Sequence, residues 1–264
     1  MDNLDNSQLV NHRVSKEKAQ ICCDNKNERV VLLHGATGHY TDMVELERAL
    51  VRAGYEVHNW DYPSTTLTVK ECAEHIMQRH LSPTFNASAQ KTHFVGFSMG
   101  GLVVENIIKD HSPQCLGRVV TLGTPYHGSD VADFMQSRAL NRKYYGFTFG
   151  PAGNELTTAF RAAVMQNMQP LNYDLGCISG DDNSAYFVAR HLFHGRPNDG
   201  RVAVESTKHP YMKDHELLHA DHAQLVLDPL AHQYTINFLR DGMFQPPALP
   251  PAPPQTAPQP PNKP

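Results

Sequence analysis

Short apolar runs rich in β-branched residues alternate along this chain with segments of helical spacing, and that alternation leaves few architectures open. The run RVVLL at 29–33 is bounded by polar sequence and by His-Gly, as a buried strand would be. Apolar Met43, Leu46, Leu50 and Val51 then recur at helical spacing over 43–53, and Gly54 suits a left-handed helix end. A strand over 55–60, stopped by Pro63, a helix over 68–80, a strand over 92–97 (THFVGF) and a helix over 99–109 (MGGLVVENIIK) continue the pattern. Two more strands are predicted at 118–122 (RVVTL) and 175–179 (LGCIS). Asp228-Pro229 opens a last helix over 230–239, with Asp as its cap and Pro in its first turn. The order predicts an α/β fold: a mostly parallel central sheet with helices on both faces.

Three segments stand apart from this body at 29–243. Residues 1–28 lack sustained periodicity and read as a polar arm. Residues 124–173 are rich in Gly, Asn and aromatics and interrupt the alternation where a cap or lid would sit. Their Tyr126, Phe134, Tyr144, Tyr145, Phe147 and Phe149 either line an apolar site or pack the insertion down. In 244–264 the composition changes: ten of the chain's 19 Pro lie between Gln245 and Pro264. Proline fixes φ and removes an amide donor, so polyproline II or disorder is expected there. The PxxP spacing from Pro247 to Pro250 fits a module that reads polyproline II, although a solvated tail is the plainer reading.

Composition removes several classes of function. Hydrophobic residues are 40% of the chain, enough for a core, and the net charge of −4 does not suit a nucleic-acid backbone. No run approaches the ~20 apolar residues of a membrane-spanning helix. The polar N-terminus shows no secretory pattern, which leads to an expected cytoplasmic location. Five Cys, an odd number without any CxxC, favour free thiols in a reducing compartment over disulfides or a Cys-built zinc site.

The sharpest motif is Gly96-Phe97-Ser98-Met99-Gly100, a G-x-S-x-G. It follows a predicted strand and opens a predicted helix, as a nucleophile elbow must. Glycines flank the turn because side chains would not fit, and the helix N-terminus offers N–H groups to a developing oxyanion. Ser98 is the candidate nucleophile. His34-Gly35-Ala36 follows the first strand, so the Ala36 and Met99 amides are the candidate oxyanion donors, with His34 structural. Serine needs a base, and the base needs an orienting group. For the acid, Asp199 in the turn-rich Asn198-Asp199-Gly200 is favoured over Asp181 and Asp182. For the base, His222 before the last helix is favoured among His209, His215, His219, His222 and His232.

These residues resemble bacterial lipase-like α/β-hydrolases of the compact serine esterase/lipase group. The resemblance is carried by VVLLHG at 30–35, AGYEVHNWDYPS at 53–64, HFVGFSMGGLVVENII at 93–108, RVVTLGTPYHGSDVAD at 118–133, YGFTFGPAGNELT at 145–157, NDGRVAVESTKHPYMKDH at 198–215 and ADHAQLVLDP at 220–229. It implies Ser98 as nucleophile, Asp199 as acid and His222 as base, with Ala36 and Met99 at the oxyanion hole. It further implies a small-molecule or lipid ester as substrate and no cofactor. Phe97 departs from the pattern, since His is frequent before the nucleophile, and the loop ATGHYTD differs from the relatives' oxyanion loop. Thioesterase and acyltransferase chemistry would use the same triad.

Two readings compete. His215-Glu216-Leu217-Leu218-His219 matches H-E-x-x-H, a zinc-hydrolase motif when it lies on a helix. In the hydrolase register this stretch is instead a strand, where residues four apart do not form a helical ligand pair. A hydrolase fold kept only for binding would be favoured if Ser98 lay out of substrate reach.

Overall fold

The computed structural model describes residues 28–80, 90–137, 139–186 and 191–245. Residues 1–27 of the polar arm, with Cys22 and Cys23, and 246–264 of the Pro-rich tail, with its PxxP spacing, lie outside the described residues.

Six strands form one sheet: β1 (Arg29–Leu33), β2 (Glu56–Trp60), β3 (Thr92–Phe97), β4 (Leu116–Leu122), β5 (Leu175–Gly180) and β6 (Asp214–Leu218). Their spatial order is β2-β1-β3-β4-β5-β6, and every neighbouring pair is parallel. The predicted strands fall within a residue or two of these bounds, and the H-E-x-x-H stretch is β6. Parallel pairing demands crossovers, which the helices supply. They are α1 (Val44–Arg52), entered through a 3-10 turn at Tyr40–Met43, then α2 (Val69–Arg79) and α3 (Met99–His111), with α8 (Pro229–Asp241) at the end.

The two-residue period of β1 divides the core. Val31 and Leu33 point to one face and pack with Ile76 of α2 and with Leu102 and Val103 of α3. Val30 and Leu32 point to the other and pack with Leu46 and Leu50 of α1 and with Phe238 and Leu239 of α8. All five residues of β1 are buried, as a strand covered by helices on both faces should be. Helix ends follow local chemistry. Thr68 and Glu71 form a reciprocal capping box on α2. The Asp228 side chain caps α8 ahead of Pro229, and Gly242 ends it at φ 75°.

The interruption at 124–173 contains three helices: α4 (Asp130–Ser137), α5 (Ala139–Glu155) and α6 (Thr158–Met165). α5 is kinked at Gly150, whose φ of 59° breaks the helix just before Pro151. A Cβ at Gly150 would sit 1.9 Å from the Thr65 carbonyl oxygen, so close backbone contact with the 60s loop requires glycine there. α7 (Val204–Thr207) is a single turn after the Asn198–Gly200 loop.

Among the described residues, no helix is long and apolar enough to cross a membrane. Cys72 and Cys177 are free and buried. Cys115 is disulfide-bonded, which corrects the expectation of free thiols and removes the thiol argument for a reducing compartment.

Removing the α2 cap tests the reading of that helix. Thr68→Ala leaves the Glu71 N–H without its acceptor and is expected to destabilise the fold by about 1 kcal/mol, measured as a lower urea midpoint at unchanged slope.

Candidate active site

β3 ends at Phe97 and α3 begins at Met99, so the chain reverses on Ser98 alone. Ser98 takes φ 53° and ψ −125°, a conformation that strains an L residue by about 1–3 kcal/mol. Three hydrogen bonds hold it there. The Ser98 N–H donates to Leu122 O at 2.7 Å, and Gly101 N–H donates to Ser98 O at 3.1 Å. The Thr124 hydroxyl also donates to Ser98 O, at 2.8 Å. The flanking glycines are sterically required. A Cβ on Gly96 would lie 2.4 Å from Gly101 Cα, and one on Gly100 would lie 2.2 Å from Leu33 O.

The structure brings Ser98, His222 and Asp199 into one line. His222 Nε2 lies 2.9 Å from Ser98 Oγ, and its Nδ1 lies 2.6 Å from Asp199 Oδ2. The Asp199 side chain is fully buried, and its other oxygen accepts from the Arg201 N–H at 2.9 Å and the Val202 N–H at 2.7 Å. Those amides hold the carboxylate's orientation, and the His222 N–H donates to Asp199 O at 2.9 Å, tying the two loops together. The Phe97 ring packs against the imidazole, centroids 5.1 Å apart. The departure before the nucleophile thus becomes an apolar wall for His222.

Ala36 and Met99 follow the ends of β1 and β3, which are adjacent and parallel. Met99 is the first residue of α3, so its N–H has no helical carbonyl to meet. The Ala36 loop is held from the end of β2, a role that reading the sequence alone missed. Asp61 Oδ1 accepts from the Tyr40 N–H at 2.7 Å, and Asp61 Oδ2 lies 2.7 Å from His39 Nε2. The Tyr62 hydroxyl donates to the His34 carbonyl, and the two rings stack at 4.2 Å. Burial pushes the His34 imidazole below its usual pKa, which suits a neutral ring whose Nδ1 lies 2.8 Å from Gly35 O. Thr37 in this loop takes φ 60°, a strained value for a β-branched residue. The only sequence signal for the arrangement was the Asp-Tyr-Pro after β2.

The rival residues have other partners. Asp181 binds His219 at 2.8 Å, and Asp182 accepts from the Ser184 N–H and hydroxyl. His215 Nε2 lies 2.7 Å from Ser179 Oγ, and His232 Nε2 lies 2.8 Å from Val226 O. His215 within β6 and His219 just past its end therefore serve separate contacts. No group of three or more His, Cys, Asp or Glu among the described residues is arranged to hold a metal. His209 is buried with its ring edge-on to Tyr126 at 4.7 Å. Burial, and then the charges of Arg161 and His127, depress its pKa to about 4.

Ser98 is half-buried and opens, with His222, into a cavity of about 280 Å3. Its walls include Val131, Met135, Tyr145, Phe149, Leu156 and Val202. The insertion's aromatics therefore divide. Tyr145 and Phe149 stack at 4.5 Å in the cavity wall, Tyr126 belongs to the core, and Tyr144 and Phe147 face outward. A larger cavity, about 700 Å3, lies between α3 and α6 and contains neither Ser98 nor His222. Size alone does not mark the chemical site; the smaller cavity holds the polar line. Pro125 and Ser129, from the turn after β4, also line it. Thr124 binds the elbow as described, and the Ser129 hydroxyl donates to Arg201 O at 2.6 Å.

The sequence pattern of the alpha/beta hydrolase family matches residues 30–261. No curated protein matches the chain by sequence. Several solved structures share its fold. The mature lipase BlEst2 of Bacillus licheniformis superposes with a TM-score of 0.65 at 20% identity, over 82% of this chain and 92% of that one. Lipase 1 from Pelosinus fermentans gives 0.60 at 13% identity, over 82% and 98%. The Staphylococcus hyicus lipase gives 0.55 at 14% identity, over 77% and 89%.

His209 supplies a test of the packing beneath the site. The unfolded chain takes a proton there below about pH 6.5, whereas the folded chain refuses it until about pH 4. Stability therefore falls as pH drops through that window. His209→Gln is expected to flatten the fall by up to about 1.4 kcal/mol per pH unit, read from urea midpoints between pH 7 and 4. Identical slopes in both proteins would assign the acid loss to other groups.

Proposed function

This chain belongs to the alpha/beta hydrolase family, and we propose that it is a serine hydrolase of carboxylic esters working through an acyl-enzyme on Ser98. The observation that supports this most directly is the hydrogen-bonded line from buried Asp199 through His222 to Ser98, opening into an apolar cavity. In this reading Ser98 Oγ attacks the ester carbonyl carbon while its proton passes to His222 Nε2. Asp199 accepts from Nδ1–H and stabilises the imidazolium. The carbonyl oxygen takes up the negative charge, and the Ala36 and Met99 N–H groups hold it. Losing one such donor typically costs ~10²–10³ in turnover. His222 then gives its proton to the departing alcohol. Water repeats the sequence on the acyl-serine, releasing the acid and regenerating Ser98. The insertion at 124–173 acts as the lid, with Tyr145 and Phe149 against the acyl chain.

A fluorophosphonate probe mapped by peptide mass spectrometry tests the reading, because such probes react with a serine only when its base is in place. Labelling is expected at Ser98 and lost in Ser98→Ala. Asp199→Asn is expected to slow ester turnover by roughly 10⁴, through the wrong imidazole tautomer. A folded wild-type protein that takes no label would sink the proposal. Turnover of thioesters over oxygen esters, or transfer to an added alcohol over water, would keep the triad and change the substrate.

The Asp61 clamp yields a separate expectation. Asp61→Ala frees the loop bearing the Ala36 amide, so kcat for a neutral ester should drop on the order of tenfold, with KM nearly unchanged. An unchanged kcat would show that the Ala36 loop holds its position without Asp61.

A further inference from the structure

The cavity beside Ser98 has an apolar wall and a cationic side chain at its edge. Among the described residues that line it, Arg201 is the one Lys or Arg, and none is acidic. Arg201 is exposed at the cavity edge. Among the described residues its guanidinium meets no carboxylate; it lies over the Tyr186 ring, 5.6 Å from the centroid. Arg196, earlier in the same loop, is by contrast paired with Asp130 at 2.5 Å. The loop thus neutralises one cation and leaves the other at the site.

The backbone that carries it is held by the catalytic framework itself. The Arg201 N–H donates to the Asp199 carboxylate at 2.9 Å, and its carbonyl accepts from the Ser129 hydroxyl at 2.6 Å. Gly200 takes φ 90°, and a Cβ there would collide with the Tyr186 ring at 2.1 Å, so glycine lets the ring approach. A guanidinium held over an aromatic face by a cation–π contact keeps N–H groups for other partners, and these match a carboxylate or phosphate bidentately.

Building on the ester-hydrolase reading, we propose that Arg201 is a specificity residue and that the site takes esters bearing an anionic group. The anion, a carboxylate or a phosphate, meets Arg201 at the cavity edge while the ester carbonyl lies at Ser98 and the apolar part lies against Tyr145 and Phe149. The chemistry at Ser98 is unchanged; the cation selects what reaches it.

Two matched pairs test this, one for each side of the ester. The acyl side compares 4-nitrophenyl pentanoate with mono-4-nitrophenyl glutarate, in which a carboxylate replaces the terminal methyl. The alcohol side compares monooctanoylglycerol with its phosphate monoester. At constant ionic strength the wild type should favour the anionic member of at least one pair. The ratio of kcat/KM values for that pair should fall on the order of tenfold or more in Arg201→Gln, the range of a charge-assisted hydrogen bond. Arg201→Lys should restore part of it. The ratio discriminates, because a structural role for Arg201 would lower both members together. A wild type that favours the neutral member of both pairs, or a ratio unmoved by Arg201→Gln, would overturn the assignment while leaving Ser98 labelling intact. Absence of labelling and of turnover on every ester would instead overturn the hydrolase reading, and this proposal with it.

Discussion

The turn at Ser98 is the constraint from which the rest of the site follows. A single residue at φ 53° links β3 to α3, and it holds that conformation because Leu122, Gly101 and Thr124 satisfy its backbone from three sides. The elbow requires glycine at 96, where β3 meets the start of α3, and at 100, where α3 meets the end of β1, because each pair approaches within the radius of a side chain. That closeness places the Ala36 loop beside the N-terminus of α3. Strain of a few kcal/mol is affordable only where the surrounding sheet is complete, and here all six strands are paired in parallel around it.

The polar groups around Ser98 are positioned by backbone far more than by one another. Asp199 is oriented by the amides of Arg201 and Val202, and His222 is tied through its own amide to the Asp199 carbonyl. Buried groups of this kind are costly when unpaired, and pairing them with rigid main chain removes their freedom to drift. Asp61 does the same work for the loop after β1. The helices on either face of the sheet contribute indirectly, by burying the two faces of β1 and keeping the strand ends in register.

Most of the fold was legible because its signals are local. β-branched runs at 29–33, 92–97 and 118–122 read as strands, and Thr68 and Asp228 read as helix caps, since each depends on residues within a turn or two. The H-E-x-x-H stretch shows why register matters: the same residues that would ligate zinc on a helix lie along a strand and find Ser179 and Asp181 instead. The insertion was harder. Its aromatics gave no period, and the split between core, cavity wall and solvent depends on the kink at Gly150 against the Thr65 backbone, a contact between distant segments. The disulfide at Cys115 was misjudged because counting cysteines carries no information about distance.

By itself the sequence determined the alternation of strand and helix, the tight turn at Gly96–Gly100, and which side-chain types could take part in chemistry. Those follow from local sterics and periodicity. Only the tertiary structure decided which of three acids and five histidines stand near Ser98, that Asp61 reaches back to the loop after β1, and that among the described residues Arg201 is left without a carboxylate at the cavity edge. Each depends on where strand ends separated by tens of residues meet, and that is set by the packing of the whole sheet.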